Sequence, residues 1–167
     1  MQENKLINPL FETIITAQDL KVFKQNLNVL ISLTFSTRES FESKLSQYLN
    51  IAQMQAMDRL VKERKINVNN ADSLRNFLLE IKSEAESLTI IGIHFAKELP
   101  LESLKKITGW FNQNLGKTII LDIQTDPDIL GGVVIYHHGR YSDYSLKKNL
   151  IEMADREELK LSNLLVS

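Results

Sequence analysis

The sequence predicts an α+β fold, with an all-α domain over residues 1–88 followed by a small α/β domain over residues 89–155. Up to residue 88, apolar residues recur every three or four positions, which is the period of an amphipathic helix. From residue 89, short β-branched and aromatic runs surround one further amphipathic segment, in the order β-α-β-β-α. Residues 156–167 are predicted to form a polar C-terminal tail.

The first two helices are predicted from apolar stripes separated by polar breaks. The first helix is expected to open near Asp19, after a shorter helical segment, and its stripe comprises Leu20, Phe23, Leu27, Leu30 and Ile31. The break "FSTRES" offers Ser36 or Thr37 as the N-cap of the second helix. That helix is predicted to run without interruption to about Arg64, for some 25 residues.

The third helix is predicted to be capped by Asn69 or Asn70 and leads into the strand "TIIGIHFA" without a Pro/Gly-rich linker. A helix follows, with Pro100 in its first turn and Gly116 as its C-terminal cap, and the strand "KTIILDIQTD" comes next. Trp110 lies in the apolar stripe of this helix, so we expect it to pack in the core.

The end of the α/β domain is predicted to be a hairpin and a short helix. "GGVVIYH" is the third strand, Gly139 the turn and "RYSDY" a short return strand. A final helix is predicted from about Ser145 to Met153.

Composition excludes several classes of function. Twenty basic residues balance twenty-one acidic ones, and the first 88 residues hold eleven of each, so no charge asymmetry favours nucleic acid or an acidic membrane. The chain has no cysteine, which rules out disulfides, thiolate metal sites and a cysteine nucleophile. Apolar runs are far shorter than the roughly 20 residues that span a bilayer, and no signal or transit peptide is recognisable.

The hairpin contains the residues that most suggest chemistry. His137, His138, Arg140 and Asp143 could form a metal or phosphate site, and His94 on another strand could approach one of the histidines. Neighbouring residues on a strand point to opposite faces, however, so the two histidines share a ligand only if the turn has already begun. We therefore favour a decorated hairpin tip over an active site.

The paired glycines and the nearby carboxylates are also expected to be structural. Gly131 and Gly132 enter a strand and lack the lysine and hydroxyl residues of a phosphate-binding loop, which favours a bulge or a close backbone approach. Asp122, Asp126 and Asp128 are typical of a solvated strand followed by an Asx turn. Neither a cofactor nor a metal is expected.

Three consecutive stretches are similar to one known family. They are "ELPLESLKKITGWFNQNLGKTIIL", with its proline-led helix and Leu-Gly-Lys before a strand, then "DPDILGGVVI", then "GRYSDYSLKKNL" with its Gly turn and Asp-x-Ser. Over residues 96–153 the chain resembles the C-terminal region of the delta subunit of F-type ATP synthase, known in mitochondria as the oligomycin-sensitivity-conferring protein. It departs from the family in having Tyr144 where a glycine is usual, and in its short helical half.

The resemblance implies a non-catalytic subunit of the peripheral stalk, or stator, within a hetero-oligomeric complex on the cytoplasmic face of an energy-transducing membrane. Its implied partners are the N-terminal segments of the alpha subunits and the C-terminal helices of the b subunit, and together they resist rotor torque. The matched signature residues, implied to shape the fold, are Asp126, Pro127, Gly131, Gly132, Gly139, Asp143 and Ser145. Candidate partner-binding residues in the helical half are Leu20, Phe23, Leu27, Leu45 and Leu49.

Three alternatives stay open at this point. The E-type stator subunit of V/A-type rotary ATPases also ends in an α/β domain with a Gly-Gly strand, although the proline-led helix and "LGK" favour the F-type family. The second alternative is a small metal- or phosphate-dependent enzyme centred on the His137, His138, Arg140 and Asp143 hairpin. The third is a helical adaptor in an unrelated complex.

Overall fold

The computed structural model describes the backbone of residues 9–35, 40–115 and 118–165, and the side chains of those residues through 156. Helices occupy the first part and a four-stranded sheet with two helices the second, which confirms the α+β fold class. In chain order the elements are a 3-10 turn at Phe11–Thr13, α1 (Ala17–Ser32), α2 (Phe41–Tyr48), α3 (Ile51–Glu63), α4 (Ala71–Glu86), β1 (Thr89–Phe95), α5 (Leu101–Leu115), β2 (Ile119–Thr125), a 3-10 turn at Pro127–Ile129, β3 (Gly132–His137), β4 (Arg140–Ser145) and α6 (Leu146–Leu165).

The described residues cluster into two compact units. The first, which we call the helical unit, contains the chain up to Thr89 together with Thr108–Ile120. The second, which we call the sheet unit, contains Ile90–Ile107 and the described residues from Leu121 onward. The core of the helical unit draws side chains from α1 to α4, and includes Leu10, Phe23, Leu27, Leu30, Met57, Leu60, Phe77, Leu78 and Ile81.

Helix α1 begins two residues before the predicted opening at Asp19. Thr16 is the N-cap, and its Oγ1 accepts a hydrogen bond of 3.1 Å from the backbone N–H of Asp19. The Asp19 carboxylate accepts in return from the backbone N–H of Thr16, also at 3.1 Å. This reciprocal capping box satisfies two backbone donors that would otherwise lack helical partners. Asp19 is therefore the third residue of α1 and completes the capping box with Thr16, and the helix does not begin at Asp19.

The prediction of one long second helix is wrong, because the helix stops at Tyr48 and a new one starts at Ile51. Leu49 adopts an extended conformation, with φ −117° and ψ 147°. Asn50 Oδ1 accepts from the backbone N–H of Gln53 at 2.9 Å, and Gln53 Oε1 accepts from the backbone N–H of Asn50 at 3.3 Å. This second capping box competes with helix continuation, and the motif Asn-x-x-Gln is visible in the sequence.

The caps predicted elsewhere have mixed outcomes. Ser36 and Thr37 lie outside the described residues, and α2 is capped by Ser40, whose Oγ accepts from the backbone N–H of Ser43 at 3.2 Å. Asn70, one of the two predicted candidates, caps α4 and accepts from the backbone N–H of Ser73 at 2.8 Å. The predicted C-cap of α5, Gly116, also lies outside the described residues.

Helix α5 follows Pro100 directly, and the Pro100 carbonyl accepts from the backbone N–H of Leu104 at 3.2 Å. The prediction that Trp110 packs in the core is wrong, since 59% of its surface is exposed. Thr108 is the buried residue of α5. At roughly 100° per residue, Trp110 points about 160° away from Thr108 and so lies on the opposite face of the helix.

The sheet has the strand order β2-β1-β3-β4. β1 pairs antiparallel with β3, placing Gly92 opposite Tyr136, and β3 pairs antiparallel with β4 from Gly132 opposite Ser145 to His137 opposite Arg140. The predicted short return strand is thus a full partner of β3. Within the sheet unit, the buried apolar side chains are Ile91, Ile93, Leu121, Ile129 and Val134.

Helix α6 continues to Leu165 and does not end near Met153. The predicted polar tail is therefore helical over residues 156–165. Residues 146–167 contain neither glycine nor proline and are rich in Leu, Glu and Lys, which are strong helix formers, so nothing in the sequence interrupts the helix.

We predict that Asn50→Ala lowers the free energy of unfolding by about 1 kcal/mol, because it removes the acceptor that caps α3. Urea denaturation followed by far-UV circular dichroism measures the change. Asn76→Ala is the matched control, since Asn76 is exposed within α4, where alanine is the better helix former. Equal stability of the two variants would contradict the capping role of Asn50.

Candidate functional site

The hairpin tip consists of His137, the two-residue turn His138–Gly139, and Arg140. Both turn residues have positive φ, 47° for His138 and 73° for Gly139, which is the pattern of a type I′ turn. Because the turn begins at His138, the alternation of a strand no longer separates the two imidazoles. Their ring centroids lie 4.2 Å apart.

The other residues of the hypothetical enzyme cluster are held elsewhere. The His94 ring contacts Tyr136, with centroids 4.6 Å apart. Asp143 lies opposite Val134, three residues along β3 from His137. Among the side chains that the structure describes, no group of three or more His, Cys, Asp or Glu could hold a metal ion. The structure therefore brings the two histidines together without Asp143 or His94.

Asp126 and Pro127 build the turn that follows β2. The backbone N–H of Asp126 donates to the carbonyl of Phe95 at 2.8 Å, and Asp126 Oδ1 accepts from the backbone N–H of Asp128 at 3.0 Å. Pro127 occupies the first position of the 3-10 turn, where its fixed φ suits the geometry and its missing N–H has no cost. Together the two residues end β2 and redirect the chain toward β3.

The paired glycines pack closely against the end of the hairpin. The backbone N–H of Leu146 donates to the carbonyl of Gly131 at 2.9 Å, which links the start of α6 to the start of β3. Gly132 has φ +80°, and a Cβ built on it would lie 2.3 Å from the carbonyl oxygen of Tyr144. No side chain fits in that space, so the close approach of these two strands requires glycine at 132.

Asp143 and Ser145 lie where β3, β4 and α6 meet, at a junction with Gly131 and Gly132 that we call the joint. Asp143 Oδ1 accepts from the backbone N–H of Ser145 at 2.8 Å, and its second oxygen accepts from the Tyr141 hydroxyl at 2.8 Å. Ser145 Oγ accepts from the backbone N–H of Lys148 at 3.1 Å, so Ser145 is the N-cap of α6. The Asp-x-Ser motif therefore ends β4 and begins α6 within three residues.

The hydrogen bonds of this joint also perturb its ionisation. Hydrogen bonding by Ser145, first through its side chain and then through its backbone, holds the pKa of the Asp143 carboxyl below its ordinary value, and the Tyr141 hydroxyl adds to this effect. The hydrogen bond to Asp143 in turn raises the pKa of the Tyr141 phenol.

A shallow pocket of about 320 Å³ opens beside the joint. Its walls carry four carboxylates and two lysines: Asp126, Asp128, Asp143 and Glu152, and Lys147 and Lys148. The carboxylates outnumber the lysines by two, so the open pocket is acidic overall and does not favour an anion.

The sequence-based candidates for partner binding lie in the core of the helical unit. Leu20, Phe23, Leu27, Leu45 and Leu49 are between 0% and 6% exposed. Their side chains pack against other helices, so the partner-binding role suggested from the sequence does not fit their burial. The amphipathic stripe identified the buried face, and a partner would have to contact the opposite one.

Exposed apolar side chains occur instead on α6 and on the outer face of α1. Leu146, Leu150, Ile151 and Met153 of α6 are 48% to 62% exposed. In α1, Val22 and Val29 are exposed and lie two turns apart on one face. The α6 residues lie within the helix predicted from the sequence, but partner-binding candidates were sought only in the helical half. The spacing of four and three residues from Leu146 through Leu150 to Met153 was available as a signal.

Among the residues that the structure describes, no helix combines the length and the apolar character that crossing a membrane requires.

Comparisons with known proteins agree on one family. The family model described as "ATP synthase delta (OSCP) subunit" matches residues 36–156. The chain is 33% identical over 84 residues to an ATP synthase subunit delta of Desulforapulum autotrophicum, which covers 50% of this chain and 45% of that protein. It is also 33% identical over 89 residues to an ATP synthase subunit delta of Brevibacillus brevis, covering 53% and 50% respectively. The chain thus spans about half the length of the curated relatives that it matches.

We predict that Gly132→Ala lowers the free energy of unfolding by more than about 2 kcal/mol, because it combines a strained φ with a clash against backbone. Gly109→Ala is the matched control. Gly109 lies within α5, and outside its chain neighbours and the nearby backbone of the helix no atom lies within 4 Å of the added Cβ, so the variant should gain about 0.5–1 kcal/mol. Thermal unfolding compares the two, and a similar effect of both substitutions would contradict the close approach.

We predict that Asp143→Asn destabilises the chain at neutral pH more than at acidic pH. The pKa of Asp143 is lower in the folded protein than in the unfolded chain, so ionised Asp143 stabilises the folded state. This contribution is fully present above the pKa of the unfolded chain and is lost as the pH falls through the pKa of the folded protein. The difference in melting temperature between wild type and variant should therefore shrink between neutral pH and about pH 3. A difference that stays constant across that range would show that ionised Asp143 does not stabilise the joint.

Proposed function

The chain belongs to the ATP synthase delta (OSCP) subunit family, and on that premise we propose that it is a peripheral-stalk subunit of a rotary F-type ATP synthase. In this role it links the catalytic alpha/beta hexamer to the stalk formed by the b subunit and resists the torque of the rotor. The single observation that supports this most strongly is the family match over residues 36–156, which includes both helical and sheet elements. The match also favours the F-type family over the E-type stator subunits.

A non-catalytic role is supported by how the signature residues use their polar groups. Asp126, Asp143 and Ser145 direct their side chains to backbone N–H groups in their own turns and caps. Groups engaged in this way end strands and start helices, as expected for residues that shape the fold. The histidine pair, the remaining candidate for chemistry, lacks a carboxylate partner in the described contacts of either ring.

We assign the helices of the b subunit to the exposed face of α6. A partner helix binds a helical surface through apolar residues spaced by three, four or seven positions, and Leu146, Leu150 and Met153 follow that spacing. Two helices packed in this way exclude water from the apolar residues of both. Full burial of an exposed side chain of this kind contributes about 1.5–3 kcal/mol, and each of these residues, which is already about half buried, would contribute roughly half of that.

We assign the outer face of α1, around Val22 and Val29, as the binding surface for the N-terminal segments of the alpha subunits. This surface replaces the five buried residues suggested from the sequence. We further propose that residues 1–88 and 89–155 act as separate binding domains, one for each partner. The protein would then sit peripherally, on the cytoplasmic face of the membrane that holds the synthase.

We predict that the chain binds a peptide taken from the C-terminal helix of the b subunit. Leu150→Asp/Met153→Asp should weaken this binding more than about tenfold, since it places two charges in the apolar contact. Isothermal titration calorimetry measures the affinity, and circular dichroism confirms that both proteins are folded.

The double variant Val22→Asp/Val29→Asp is the matched control, because it places two charges on the surface assigned to the alpha subunit. It should leave binding of the b peptide unchanged and weaken binding of a peptide taken from the N-terminal segment of the alpha subunit. If wild type binds neither peptide, the stator proposal fails. If the α6 variant binds the b peptide as tightly as wild type, only the location of the site is wrong.

A further inference from the structure

The histidine pair at the hairpin tip has a geometry that the stator role does not explain. Two imidazoles bound side by side to one metal, with nitrogen–metal bonds of about 2.0–2.1 Å, have ring centroids about 4.5–5 Å apart when the angle at the metal is about 90–110°. The ring centroids of His137 and His138 are 4.2 Å apart. For both rings to contact one ion, their centroids would have to separate by less than about 1 Å and each ring would have to turn one nitrogen toward the ion.

The His137 ring is also held in a way that suits a metal ligand. Its Nδ1 lies 3.3 Å from the carbonyl oxygen of Ile90 on the adjacent strand. A carbonyl oxygen can only accept, so this contact is a hydrogen bond when Nδ1 carries the proton, and Nε2 then keeps its lone pair. Metal-binding histidines commonly donate their second ring N–H to a backbone carbonyl in this manner, which fixes the ring and its tautomer.

The turn itself keeps the two rings accessible. His138 is exposed and His137 is half-buried. The positive φ values of His138 and Gly139 and the pairing of His137 with Arg140 fix the backbone on both sides of the pair. Arg140 is exposed, so its guanidinium can extend into water, away from a bound cation.

From these observations we infer that His137 and His138 form a two-histidine site for a borderline divalent metal ion such as Zn²⁺. Imidazole nitrogen is a preferred ligand of Zn²⁺, Ni²⁺ and Cu²⁺, whereas Mg²⁺ and Ca²⁺ prefer oxygen. Since no third His, Cys, Asp or Glu joins the pair among the described side chains, water completes the coordination. The site shares no residue with the surfaces assigned to stator partners on α1 and α6.

Titration of the untagged, metal-free full chain with Zn²⁺ tests the inference. Calorimetry should show one ion bound per chain, with a dissociation constant below about 1 mM. Two-dimensional NMR of the histidine rings should show shifts for His137 and His138 and none for His94, whose ring contacts Tyr136.

Single variants provide the controls. His137→Gln and His138→Gln should each weaken Zn²⁺ binding by about tenfold or more, and His94→Gln should leave it unchanged. All three substitutions are of the same type, and circular dichroism checks that each protein is folded. The inference is overturned if wild type binds no Zn²⁺ in this range, or if the double variant His137→Gln/His138→Gln binds it as wild type does.

Discussion

The sheet unit depends on the close approach of Gly132 to the backbone of Tyr144. This contact lets β3 pair with β4 up to Ser145, where β4 gives way to α6. Around it, the Gly131 carbonyl accepts from Leu146, Asp143 accepts from Ser145, and the Ser145 hydroxyl caps α6. The hairpin and the last helix are therefore positioned by one small set of hydrogen bonds around a close backbone approach, in which a side chain at position 132 has no room.

The same joint accounts for the residue types of the candidate signature, which combines glycines with short polar residues. Asp126 and Pro127 end β2, Gly131 and Gly132 start β3, and the Asp-x-Ser motif starts α6. Each residue type is the one that its local backbone geometry favours. Residues of these types shape the backbone, which is the role that the family resemblance implies for them.

Local signals in the sequence were sufficient to predict the fold class, the strands and the cap at Asn70. They failed where two signals competed. The apolar stripe through residues 41–64 hid the capping box at Asn50, and the polar composition after Met153 hid the absence of helix breakers. Hydrophobic periodicity locates the apolar face of a helix, but tertiary packing decides whether that face is buried. Trp110 is exposed although it lies in an apolar stripe, and the five candidate partner-binding residues of α1, α2 and Leu49 are buried in the core. The contact between His137 and His138 could not be predicted, because it depends on the turn beginning at His138.

Electron cryo-microscopy of the intact ATP synthase purified from the organism's own cells tests the central claim most directly. We expect the complex to contain this chain, with α6 against the helices of the b subunit and the outer face of α1 against the alpha subunits at the top of the catalytic hexamer. A complete and active synthase that lacks this chain at that position would contradict the stator role.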